Sequence, residues 1–151
     1  MSLVSPEPVG WSDRHIEQAC QGALHPLAIR GIALFNARDY FGAHEALETA
    51  WREERGAVRD VYRGILQVGL AYYHIQRLNY RGAVKMFQRC RQWLAPFPDT
   101  CRGIDLGQLR SDFLRAEEEL LRLGPEKLAY FNHDLLKPLI FRIGEEPSDE
   151  L

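Results

Sequence analysis

The chain is short of cysteine. Cys20, Cys90 and Cys101 are odd in number and far apart, and none sits in a Cys-x-x-Cys pair. A disulfide framework and a cysteine zinc site are both disfavoured by that spacing, and a reducing, cytoplasmic compartment is expected. Charge of one sign is lacking too. A formal net charge of −2 leaves no cationic excess to displace phosphate counterions, so non-specific nucleic-acid binding is not expected. There is no long apolar run. The longest, 64–75, is too short to cross a bilayer and reads as a buried helix, so no membrane role is expected. The opening "MSLVSPEPVGWSDR" has neither a cationic segment nor an apolar stretch and does not read as a signal peptide. A glycine-rich phosphate loop and a Gly-x-Ser-x-Gly elbow are both missing, which removes support for a nucleotide fold or a serine hydrolase. No segment alternates convincingly as a strand.

The 151 residues suit one domain, and 46% hydrophobic residues suffice for a core. Residues 1–11 read as a loose arm, and 12–151 as a single helical domain with core hairpins over 27–94. Ser12 is placed to cap a short helix to about 23, and Pro26 to open the next. A turn over 36–39 leads to a helix over 40 to about 55, which Gly56 is expected to end in left-handed geometry. A long helix follows over 58 to about 78, apolar almost all round and therefore central. Another spans 80–94. After a loop over 95–105, Asp105 is placed to cap a helix over 106–123 that stops at Gly124-Pro125. The remainder reads as a short helix plus an extended apolar tail. The fold class is all-α, a bundle of about five to six helices.

An offset of 40 residues superposes "FNARDYFGAHEAL" on "IQRLNYRGAVKMF". Tyr40 falls on Tyr80, Gly42 on Gly82, Ala43 on Ala83, and the turn formers Asp39 and Asn79 coincide. The pattern resembles two tetratricopeptide-like hairpins, with the small residues expected to let paired helices approach closely. It also isolates three anomalies. His44 aligns with Val84, His74 with Leu34 and Gln67 with Leu27. A polar group buried at such a slot without a partner costs roughly 1–3 kcal/mol.

Partners are available by spacing. His44, Glu48, Trp51 and Arg55 share one side of their helix, with Glu45 one step round. Arg63, Gln67 and His74 share a face of the long helix, with Gly64 and Ala71 leaving room beside it. Antiparallel packing brings Glu48 near Gln67 and His44 within about a turn of His74, with Arg63 as counter-ion for Glu48 or Glu45. His44, Glu48 and His74 then form a two-histidine, one-carboxylate set suited to a divalent metal, zinc or iron, with Glu45 as candidate general base. "HEALE" is not a zincin motif, however, because Glu48 stands where that motif has its second histidine. A small-ligand pocket lined by His44, Glu45, Glu48, Trp51, Arg63, Gln67 and His74 is a second reading. A neutral network that only fixes hairpin register is a third. Trp51 reads as core. Arg81, Lys85, Arg89, Arg91 and Arg102 make a modest basic patch, read as a solvated helix face with anion contact as the alternative.

These residues carry a resemblance. Phe35-Asn36-x-x-Asp39-Tyr40-Phe41-x-x-His44-Glu45-x-Leu47-Glu48-x-x-Trp51, continued by Gly64-x-x-Gln67-x-x-x-Ala71-x-x-His74 and Asn79-x-x-Gly82-Ala83, is similar to domain-of-unknown-function family 309. The resemblance implies an all-helical domain with a core set at His44, Glu45, Glu48, Trp51, Gln67 and His74. It implies no activity. Arg38 departs from it, standing where a small turn residue is expected. The expectation is therefore a helical domain of unassigned activity with a semi-buried pocket. The competing expectation is a helical interaction module with a protein partner or a homodimer.

Overall fold

The computed structural model describes residues 10–143. The order is α1 (Asp13–Ala19), α2 (Pro26–Asn36), α3 (Tyr40–Glu53), α4 (Val58–Gln76), α5 (Tyr80–Leu94), β1 (Thr100–Cys101), β2 (Ile104–Asp105) and α6 (Leu106–Leu123). Two 3-10 helices, Pro125–Tyr130 and His133–Leu135, follow. The all-α reading holds, with one addition. β1 and β2 pair antiparallel, and Ile104 also bridges to Phe141 of the tail. A two-residue strand is too short to show alternation, so nothing in the sequence marks it.

α2 packs on α3, α3 on α4, and α4 on α5, while α6 closes over α5. α4 is the central element, buried along nearly its whole length from Val58 to Ile75. Phe35, Tyr40, Tyr72, Phe87 and Phe113 form a continuous aromatic spine through the core, with successive ring centroids 5.3–6.3 Å apart. Edge and offset contacts of this kind add stability beyond the apolar area buried.

The two hairpin corners are built alike. Asp39 and Asn79 each accept the N–H of the glycine three residues on, Gly42 at 2.9 Å and Gly82 at 3.0 Å. Each also donates its backbone N–H back to the preceding helix, Asp39 to Leu34 O and Asn79 to His74 O. Together with Arg38 N to Phe35 O and Leu78 N to Ile75 O, these are the paired bonds of a Schellman ending. One residue thus finishes one helix and caps the next. The corner glycines are needed for a local reason. A Cβ at Gly42 would lie 2.6 Å from Asp39 Oδ2, and one at Gly82 would lie 2.7 Å from Asn79 Nδ2 and 2.9 Å from the His74 ring. Close approach of helices accounts instead for Gly31, against Leu47, and Gly64, against Leu94. Leu94 therefore fills the room expected beside Gly64.

Three expectations are corrected. Gly56 is not left-handed; α3 ends through Glu54, whose backbone N–H bonds to Ala50 O and whose carboxylate accepts from Gly56 N. Cys20 and Cys101, separated by 81 residues, form a disulfide that joins the end of α1 to β1, so the argument against a bridge from spacing alone fails. Arg102 is not part of the basic patch. Its Nε and Nη1 donate to Ala19 O at 2.5 Å and Ala23 O at 2.7 Å, beside that disulfide. Of the expected N-terminal arm, 1–9 fall outside the described residues. Trp11 is half-buried and donates from Nε1 to Asp60 Oδ2 at 2.7 Å. The apolar tail buries Leu136 and Leu139 as expected. Asn36 holds it like a strand partner, donating to Leu139 O and accepting from Leu139 N. Among the described residues no helix is long and apolar enough to cross a membrane.

Candidate functional site

All seven candidate residues lie on α3 and α4. They do not assemble as the spacing suggested. Glu48 bonds Arg52 one turn on, at 3.2 Å, and its other oxygen stands 4.0 Å from His44 Nε2. Arg63 is not its counter-ion. Glu45 is exposed on the outer side of α3. His74 turns toward the second corner, where its Nδ1 faces Asn79 Nδ2 at 3.3 Å and its ring lies over Gly82. The Asn79 amide therefore serves two neighbours, donating to His74 and accepting from Gly82. Burial, and then the Arg77 charge, push the His74 pKa below that of free histidine.

The metal set His44, Glu48 and His74 is accordingly not brought together. Among the described residues no group of three or more His, Cys, Asp or Glu is placed to hold a metal ion. The physical reason is that His74 is claimed by the second hairpin corner and Glu48 by Arg52, so the two helices direct these groups apart.

A different grouping replaces it. Arg63 lies against two indoles, 4.9 Å from the Trp51 ring centroid and 4.1 Å from that of Trp93. Trp51 comes from α3 and Trp93 from α5, the helices packed on either side of α4. Arg59, one turn before Arg63, covers Trp51 from 4.8 Å and donates to Trp51 O. Trp51 is therefore half-buried beneath two guanidinium groups rather than core. Burial lowers the Arg63 pKa. Asp60 opposes that shift, while the charges of Arg59 and Arg89 add to it. Asp60 is itself buried, and desolvation raises its pKa despite the Trp11 hydrogen bond and the charges of Arg59 and Arg63.

Sequence reasoning missed Arg59, Trp93 and Asp60. One signal was available. Arg59 and Arg63 are a like-charged i,i+4 pair on a largely buried helix whose one carboxylate is Asp60, an arrangement that is unfavourable unless something compensates it.

The buried polar atoms without a protein partner sharpen the picture. Among the described residues they are His44 Nδ1, Trp51 Nε1, Gln67 Oε1, Tyr72 OH and Trp93 Nε1. Three belong to residues selected from sequence, and a fourth to the second indole on Arg63. In native proteins such atoms are few.

The comparisons with known proteins fall on this same region. The model of the family described as "Domain of unknown function (DUF309)" matches residues 28–86, which contain all seven candidates but neither Arg89 nor Trp93. An uncharacterized protein of Aquifex aeolicus (strain VF5) is 30% identical over 81 residues, covering 51% of this chain and 23% of its own. The uncharacterized protein YpuF of Bacillus subtilis (strain 168) is 42% identical over 50 residues, covering 32% of this chain and 29% of its own. The chain thus spans less than a third of the length of the curated relatives it matches.

Proposed function

With residues 28–86 a domain of the DUF309 family, we propose that the chain is a helical binding module whose small-ligand site is the face formed by α3, α4 and α5. One observation carries this reading. His44, Trp51 and Gln67, chosen from sequence as pocket residues, each bury a polar atom that the protein leaves unpartnered. A network built only to fix hairpin register closes on itself, because each orphaned group costs about 1–3 kcal/mol. An orphaned buried group calls for an explanation, and a site kept at the expense of stability is the one proposed for these three. A metal has no part in the proposal, and Glu45 is assigned no catalytic role. The cytoplasmic location expected from the cysteine spacing loses that support with the Cys20–Cys101 disulfide.

A second reading has its own support. Phe41 is about half exposed and packs beside Tyr73 at 5.7 Å, next to His44. That aromatic rim suits an interaction module of tetratricopeptide-like hairpins taking a protein partner or a second copy of the chain.

Gln67→Leu separates the ligand-site reading from a structural network. The two side chains are close in size, so the substitution removes the orphaned oxygen without opening a cavity. Chemical denaturation of the variant is expected to show unchanged or increased stability, by up to about 1–3 kcal/mol. A loss of that size would place Gln67 in a structural hydrogen bond and overturn the reading.

A further inference from the structure

Among the described residues the Arg63 side chain makes no hydrogen bond, and no carboxylate oxygen lies within 4 Å of its nitrogens. Its guanidinium lies against the two indole rings of Trp51 and Trp93. A guanidinium stacked on aromatic rings keeps its N–H edge available, and that edge is a fixed fork of donors matched to a pair of oxygens. The indole nitrogens of the same two rings, Trp51 Nε1 and Trp93 Nε1, are themselves shielded from solvent, so the rings serve as the platform for Arg63 and as reporters beside it, and the guanidinium edge is the ligand-binding group. A guanidinium can only donate, so whatever completes Arg63 must accept. The charge balance points the same way. Among the described residues the charges acting on Arg63 are those of Arg59, Arg89 and a single carboxylate, Asp60, which is already engaged by Trp11 Nε1. None of the three arginines has a carboxylate partner among the described ion pairs, whereas Arg52, Arg91, Arg110 and Arg122 each have one.

We infer that the α3–α4–α5 face binds an oxyanion, a phosphate or carboxylate group of a small molecule, on the free edge of Arg63 between Trp51 and Trp93. Arg59 and Arg89 supply the surrounding positive charge. This rests on the ligand-site reading above and names the class of ligand. It also explains the like-charged Arg59–Arg63 step on α4, since an anion compensates their repulsion. The site reaches past the family-matched segment, because Arg89 and Trp93 lie beyond residue 86.

The test is nuclear magnetic resonance of the full chain labelled with nitrogen-15, following the indole N–H signals of Trp51 and Trp93, assigned by single Trp→Phe variants. Inorganic phosphate and succinate are titrated separately, with sodium chloride at matched ionic strength as control. Saturable shifts of both signals with one of the two anions are expected, and the anion that acts at lower concentration identifies the group. Arg63→Lys keeps the charge but loses the fork, and is expected to weaken binding about tenfold or more. Arg89→Gln, on an exposed position, is expected to weaken it less and tests the charge without endangering the fold. Indoles that respond to neither anion, or equally to chloride, overturn the assignment, as does unchanged affinity in both variants. That failure is distinct from failure of the ligand-site reading, which the Gln67→Leu stability measurement decides independently.

Discussion

Arg38 and Leu78 stand forty residues apart in one backbone conformation, with φ of 66° and 58°. Each is the residue just past a helix end that the Schellman pattern places in the left-handed region, where a side chain costs roughly 1–2 kcal/mol. Their side chains differ in use. Leu78 is exposed, whereas Arg38 Nη2 reaches the carbonyls of His133 and Leu136 in the tail, 3.4 Å from each. Leu78→Gly is therefore expected to stabilise the fold by about 0.5–1 kcal/mol, the relief of strain less the entropy that glycine adds to the unfolded chain. Arg38→Gly is expected to gain less, because it also releases the tail. Equal gains in urea denaturation would show that the Arg38 contacts contribute nothing.

Glu48 tests where the register argument went astray. Its bond to Arg52 is an exposed i,i+4 pair, worth about 0.3–0.5 kcal/mol. Glu48→Gln is expected to lower stability by no more than that. A loss of several times this size in the same measurement would mean that Glu48 turns inward to the α4 face after all.

His74 should make stability depend on pH. Its folded pKa is depressed, chiefly by burial, so the folded chain prefers the neutral ring that accepts from Asn79 Nδ2. The unfolded chain then binds more protons between the depressed pKa and about 6.5, and stability contributed here is present above that window and lost as pH falls through it. Subtracting the profile of His74→Gln from that of the native chain should isolate this step. A difference profile that is flat from neutral pH down to the carboxylate range would refute it.

The Cys20–Cys101 bridge closes a loop of 81 residues, and native bridges of this kind typically contribute about 2–4 kcal/mol. Reduction, or Cys101→Ser, is expected to lower the melting temperature accordingly while leaving buried Cys90 unreactive in the folded state. The same pair bears on location. Acid-trapped protein with all three cysteines as thiols is what a reducing cytoplasm predicts; a single thiol in freshly trapped protein argues for an oxidising one.

The corners were legible because their chemistry is local. Asp39, Asn79 and the glycines three residues on form a complete capping unit within four residues, so α3 and α5 start where the sequence says. α6 was legible for the same reason, through Asp105 and Gly124. The site was only half legible. Helical spacing correctly put His44, Trp51, Gln67 and Arg63 on inward-leaning faces, yet spacing on one helix does not say which neighbour each side chain meets. Glu48 found Arg52 on its own helix, and Arg63 found Trp93 from α5 rather than a carboxylate from α3. Cys20 and Cys101 were illegible altogether, since their meeting depends on where α6 and the β1–β2 ribbon deliver residue 101 relative to α1.

The Asn36 amide that clasps Leu139 has a kinetic consequence. The bonds within each hairpin join residues a few positions apart, whereas this clasp spans 103 residues, and the Trp11–Asp60 and Arg102–Ala19 bonds span 49 and 83. Loop-closure entropy delays such distant contacts until the local units that frame them exist. The two hairpins should therefore form early and nearly independently, and the Trp11–Asp60 bond and the Leu136–Leu139 tail should fasten last, making these two attachments the first to open and the points at which a protease would enter.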